Sequence, residues 1–189
     1  LRDVRVRQAL AYAIDRQAIV DYLRRGLATP AVGVLPPLSW AFTPDVFSFP
    51  HDPARARALL DEAGYLDPDG DGPQPRLGLT LKVSNLEFNR LKSAVIQQDL
   101  RQIGIALDVR TYEFATLYAD VLGGNFQLFT LQWVGDALAD PDILRRIFHS
   151  AQIPPAGFNR GFFQNPRVDA LLDETMTSTD EARRRRLFA

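Results

Sequence analysis

A chain of 189 residues, 46% hydrophobic and 24% charged with a formal net charge of −1, is the size of one globular domain or two small ones. That near-neutral balance excludes a general attraction to nucleic acid or to acidic membranes. No apolar run approaches the roughly 18 residues of a membrane span, and the absence of cysteine excludes disulfides and thiolate metal sites.

Residues 4–14 place Val6, Ala9, Leu10, Ala13 and Ile14 at helical spacing. Asp15 is positioned to cap a second helix that carries Ile19 and Leu23 and stops at Gly26. The stretch ATPAVGVLPPLSWAFTPDVFSFP holds five prolines and no period, which reads as an ordered surface loop. HDPARARALLDEAG is a marked helix. Asp52 is its N-cap, Pro53 its first residue, Leu59, Leu60 and Ala63 its buried side, and Gly64 its stop. A strand follows over 77–85, then an amphipathic helix in EFNRLKSAVIQQDLRQIG with Leu91, Val95 and Leu100 on or near the buried stripe. IALDVRTY alternates as a half-buried strand does. A helix over 114–122 is broken by Gly123-Gly124, and NFQLFTLQWV reads as a further strand. Two helices close the chain, near 166–176 and from 180 onward. The order strand–helix–strand–helix–strand predicts an α/β layer with a mixed sheet flanked by helices, its first crossover parallel.

Several stretches invite a chemical reading. DPDGDG (67–72) spaces Asp67, Asp69 and Asp71 like the first ligands of a calcium loop. The twelfth position is Gly78 where a bidentate Glu is needed, so a solvated turn accounts for it better. His51 and His149 each lack a second ligand at helical spacing, which argues against metal catalysis. No nucleophile elbow, phosphate-binding glycine loop or dinucleotide fingerprint is present. The RRRR run at 183–186 spreads around a helical turn and reads as solvated surface.

QWVGDALADPDILRRIF (132–148) carries three carboxylates at the end of a strand. Asp140 and Asp142 flank Pro141 where a helix begins, so one of them is explained as its N-cap. Asp136 lies before the cap and three residues after Trp133. A carboxylate beside an indole face at a strand's carboxyl end suits an ammonium or guanidinium group. Read from the residues alone, ligand binding and capping both stand. A pair of carboxylates could also serve a hydrolase, given a second one about 5–10 Å from Asp136 across an open cleft.

DVRVRQALAYAIDRQAIVDYLRRGLATPAVGVLPP resembles the signature region of the family 5 extracellular solute-binding proteins, receptors of ABC importers for peptides, dipeptides and nickel. The likeness continues through HDPARARALLDEAGY, residues 79–112, LQWVGDALADPD and FNRGFFQNPRVDALLDE, essentially the whole chain. It implies one α/β lobe, residues 1–189, of a two-lobe periplasmic-binding-protein-like (type II) fold. The chain starts LRDVRVRQAL and stops on RRRRLFA, and both ends read as cut from a larger protein. The resemblance implies a binding function, with a short peptide as solute, and no catalysis, cofactor or metal of its own. An oligosaccharide or a metal chelate is the alternative solute. It further implies a monomer that works with a membrane permease, in the periplasm or outside the cell, either free or lipid-anchored. In peptide-binding members an aspartate shortly after a tryptophan at this strand end binds the α-ammonium group; the matching residues here are Asp136 and Trp133. Where such members often carry an asparagine- or tyrosine-bearing turn, this chain has Ala137-Leu138-Ala139. Arg160, in FNRGFF, is the candidate for the solute's carboxylate by position, with a surface role as the other reading. Trp40 and Phe162 are candidates for lining the cleft, with burial in the lobe's own core as the alternative.

Overall fold

The computed structural model describes residues 1–70, 72–133 and 141–188. The chain divides into two units, Leu1–Pro30 with Phe49–Tyr118 and Phe126–Leu131, and Ala31–Ser48 with Ala119–Asn125 and Gln132–Ala189.

The first unit is built on a sheet. Helix α1 (Val4–Ala13) starts where the Asp3 carboxylate accepts from the Arg5 N–H at 2.8 Å, and it buries Val6, Ala9, Leu10 and Ala13. Asp15 caps α2 (Arg16–Ala18) by accepting from the Ala18 N–H at 2.9 Å. That helix then widens into a π-helical turn over Ile19–Leu23, which sequence cues for an ordinary helix do not distinguish. Helix α3 (Pro53–Glu62) has the expected Asp52 cap at 2.9 Å, Pro53 in its first turn and a left-handed Gly64 beyond its end.

Strands β1 (Leu77–Ser84) and β2 (Ile105–Tyr112) run parallel in register from Leu77↔Ile105 to Ser84↔Tyr112. Helix α4 (Glu87–Arg101) crosses between them, and α5 (Phe114–Leu122) precedes β3 (Leu128–Phe129). The sheet order is β2-β1-β3, and both pairings are parallel. The α/β architecture is the one the sequence predicts, but the mixed sheet is not found among the described residues. Each connection contains a helix and returns the chain in the same direction.

β3 is also shorter than NFQLFTLQWV suggests. Only Leu81↔Leu128 and Lys82↔Phe129 pair, followed by a Thr130 N–H donating to the Lys82 carbonyl at 3.1 Å. Just before β3 the Gln127 side-chain carbonyl accepts from the Thr80 N–H at 2.7 Å. A side chain there takes the place of the ladder, and apolar patterning cannot register that substitution.

The core packs α1, α3 and α4 against the sheet face bearing Leu79, Leu81 and Val83, with Leu59, Leu60, Leu100, Ile103, Ile105 and Leu107 around them. Along α4 the buried positions are Ser93, Asp99 and Leu100, and Val95 is half-buried. Leu91, expected on or near that stripe, is 48% exposed. Two residues from Ser93 is about 200° around a helix, so Leu91 lies on the opposite face. Asp99 accepts from the Asp15 N–H at 3.0 Å, and burial pushes its carboxyl pKa up.

Gly104 is required where it stands. Its φ is +79°, and a Cβ would lie 2.8 Å from Arg76 Nε. The nearly buried Arg76 meets Asp61 at 2.7 Å and Asp67 at 2.9 Å.

The second unit is mainly helical: α6 (Ile143–Phe148), a short 3-10 turn at Ser150–Gln152, α7 (Pro166–Thr177) and α8 (Glu181–Phe188). Asn165 caps α7, accepting from the Arg167 and Val168 N–H groups. Leu35, Ala41, Val121, Pro141, Asn159, Leu172 and Thr175 are buried.

Truncating the core should separate the two leucine classes in thermal melts. Leu60→Ala, at a fully buried site, should cost about 2–5 kcal/mol. Leu91→Ala should stay within about 0.5 kcal/mol of the parent. A large loss from Leu91→Ala would restore it to the buried stripe.

Candidate functional site

Trp133 follows β3 by four residues and is 45% exposed. Phe158 meets it edge to face, with ring centroids 5.6 Å apart and planes at 84°. The Arg160 guanidinium carbon lies 4.8 Å from the Trp133 ring centroid and 5.2 Å from that of Phe158. Two rings at right angles thus hold one cation, by attraction between its charge and their π faces. Of the sequence-predicted residues, Trp133 and Arg160 are brought together. Asp136, with Ala137, Leu138, Ala139 and Asp140, lies outside the described residues.

Trp40 is half-buried in a separate cluster of the same unit. Its ring meets Phe188 edge to face at 5.9 Å, and the Arg184 guanidinium carbon lies 5.2 Å from its centroid. Arg184 also approaches Asp142, Nη2 to Oδ1 at 3.7 Å. Two expectations change here. Asp142 makes no side-chain hydrogen bond to the start of α6, because its backbone is already helical and its carboxylate faces Arg184. The RRRR run is not uniformly solvated surface either, since Arg184 packs on Trp40. Phe162 is 38% exposed with φ +53°, and its ring lies against Gly124, where a Cβ would come within 3.2 Å.

The buried Asn159 knits the turn beneath Arg160. Its Nδ2 donates to the carbonyls of Phe163 (2.7 Å), His149 (3.1 Å) and Phe148 (3.3 Å), and its Oδ1 accepts from the Phe163 N–H at 3.0 Å. Nearby, His149 accepts from the Ala151 N–H through Nδ1 at 3.0 Å, while Nε2 lies 3.2 Å from Asp173 Oδ1. Asp173 also pairs with Arg145 at 3.1 Å. Asp169 accepts from Ser150, at 2.9 Å from N–H and 2.5 Å from Oγ. Hydrogen bonding from Ser150 holds the Asp169 carboxyl below its usual range; His149, then Arg145, does the same for Asp173.

In the first unit, His51 faces Asp15 at 3.5 Å. Asp67 is engaged by Arg76, and Asp69 accepts from the Gln74 N–H at 3.0 Å, while Asp71 lies outside the described residues. Both described carboxylates serve the turn. A groove of about 820 Å3 runs between the loop at Pro73–Pro75 and the α4 side of β2, with Gln97, Arg101 and Leu107 on its wall. None of the four predicted site residues that are described, Trp133, Arg160, Trp40 and Phe162, lines it. Sequence reasoning also missed the Arg24 guanidinium stacked 3.8 Å over Phe88, whose ring Lys92 approaches at 5.6 Å. Burial, then the charge of Arg24, pushes the Lys92 pKa down.

The family described as bacterial extracellular solute-binding proteins, family 5 Middle, matches residues 1–155. Heme-binding protein A of Haemophilus influenzae is 33% identical over 187 residues, covering 98% of this chain and 33% of that protein. Glutathione-binding protein GsiB of Escherichia coli (strain K12) is 35% identical over 190 residues, covering 97% and 35%. In structure, the oligopeptide-binding protein AppA of Bacillus subtilis, solved with a nonapeptide, superposes with a TM-score of 0.87 at 28% identity, over 99% of this chain and 38% of that one. The chain therefore spans about a third of the length of these relatives.

Two measurements follow. If Asp142 acts through Arg184, then Asp142→Ala and Arg184→Met should be non-additive in melts, with a coupling of about 0.5–1 kcal/mol for so half-exposed a pair. Additive losses would return Asp142 to a capping role. The lowered pKa values of Asp169 and Asp173 contribute stability above the unfolded value of about 4, lost as pH falls through the folded ones. Asp169→Asn should flatten the acid limb of the stability profile; an unchanged limb refutes this.

Proposed function

The chain belongs to the bacterial extracellular solute-binding proteins of family 5, and from that membership we propose that it forms part of the solute receptor of an ABC importer, with short peptides as the solute. Its role is binding, not catalysis. In this reading residues 1–189 supply one lobe of a two-lobe monomer, and the rest of the protein supplies the facing side of the cleft. The receptor delivers solute to a membrane permease and works in the periplasm or outside the cell, free or held by a lipid. No cofactor takes part.

The observation that carries the reading is the fixed cation at Arg160 on Trp133 and Phe158, three residues in sequence from Asp136 at its Trp133 end. A peptide is a zwitterion, so it needs an acid for its ammonium group and a base for its carboxylate. Asp136 is assigned the first task and Arg160 the second, with Trp133 as a wall of the site. Phe162 is assigned to the cleft lining, and so is Trp40, whose packing against Phe188 and Arg184 forms a separate cluster of the same unit. Peptide chemistry has support among the relatives: GsiB is named for glutathione, itself a tripeptide, and AppA was solved with a nonapeptide. Heme-binding protein A is named for a different solute.

Calorimetry on the full-length protein tests the assignment with trialanine, N-acetyl-trialanine, glutathione and hemin. The expected pattern is binding of a peptide with a free ammonium group and loss of binding on acetylation. Asp136→Ala should weaken that peptide by about 30- to several-thousand-fold, because it strands a buried charge worth about 2–5 kcal/mol. Binding of hemin alone, or equal binding of the acetylated peptide, would sink the peptide reading.

A further inference from the structure

The turn that carries Arg160 is built around a buried asparagine. Asn159 is fully buried, and its side-chain amide bonds within the segment between α6 and α7. Its amide is used at both ends. Nδ2 has two protons for three carbonyls within 3.3 Å, and Oδ1 takes the Phe163 N–H. The backbone is held as well: the Asn159 N–H donates to the Gln152 carbonyl at 2.7 Å, and its carbonyl accepts from the Phe162 N–H at 3.1 Å. This fixes the chain on both sides of one residue. Phe158 and Arg160, the two neighbours, both turn to Trp133.

We propose that Asn159 is the positioning residue of the solute site: it sets the backbone so that Phe158 and Arg160 close on Trp133 as a preformed aromatic–cation corner. This rests on the reading of Arg160 as a solute anchor. No other side chain of this size does the same work. Aspartate keeps the shape but turns oxygen atoms toward three carbonyl oxygens. Serine keeps one donor and shortens the reach. An arginine side chain has many rotamers to lose on binding, so a guanidinium already docked on two rings loses less on meeting a carboxylate.

The test is a double-mutant cycle in the full-length protein, with trialanine as probe and two readouts. Asn159→Asp, or Asn159→Ser should the first fail to fold, is combined with Arg160→Ala. Each single variant should weaken trialanine binding by tenfold or more. In the Arg160→Ala background the Asn159 substitution should cost no further affinity while still lowering Tm, which separates positioning from plain stability. The second readout needs no solute: the 19F resonance of Trp133 in 5-fluorotryptophan-labelled protein, assigned with Trp133→Phe. Either Asn159 substitution should move it the way Arg160→Ala does. Affinity losses that add in full, or a Trp133 resonance unmoved by both Asn159 variants, overturn the proposal. If the parent protein ignores trialanine, the peptide reading fails and the resonance alone decides on Asn159.

Discussion

Parallel pairing on both sides of β1 is the constraint from which the first unit follows. Parallel neighbours cannot be joined by a tight turn, so every connection must carry the chain back through a crossover. Here α4 and α5 do this, and the carboxyl ends of all three strands come to one edge of the sheet. At that edge the Asn85 N–H donates to the Tyr112 carbonyl at 3.0 Å, and Asn85 Nδ2 donates to Glu113 at 2.5 Å. In an open α/β sheet this is the edge where ligands are met. Without the core on Leu79, Leu81 and Val83 nothing would hold that edge in register.

How much of this is legible in the sequence depends on what kind of signal a feature leaves. Helices α1 and α3 are legible because caps, first-turn proline and stop glycine are local chemistry, and Asp52 and Gly64 behave as their residue types dictate. The length of β3 is not, because the replacement of a ladder bond by Gln127 depends on a partner forty-seven residues away. Leu91 misleads for a related reason: apolar residues on two faces of α4 offer two stripes, and only the packed partner selects one. At the site, Trp133 and Arg160 could each be named from position, but their contact could not. Asn159 leaves no signal at all in a single sequence, since a buried asparagine and a turn asparagine look alike until the carbonyls around it are known.

Arginine shows the same limit in another form. Twenty-two Lys and Arg residues give a near-neutral chain and little more. In the fold they separate into distinct tasks. Arg76 is buried against two carboxylates and backs Gly104, so its charge is spent on structure. Arg184 lies on Trp40 and meets Asp142, joining α8 to the start of α6. The Arg160 guanidinium lies against the rings of Trp133 and Phe158.

Ring packing of a guanidinium has a consequence for recognition. A cation on aromatic faces keeps its in-plane N–H donors while its flat faces are covered. Closure of a second lobe over such a group would lower the local dielectric and strengthen a new carboxylate contact. The arrangement works only if the guanidinium does not wander. The rings restrain its tip, and the backbone beneath must restrain its root, which is where six hydrogen-bonding contacts of one buried asparagine are concentrated. Under the proposed function, the hydrogen bonds of Asn159 and the rings around Arg160 act together, the first holding the root of the guanidinium side chain and the second its tip.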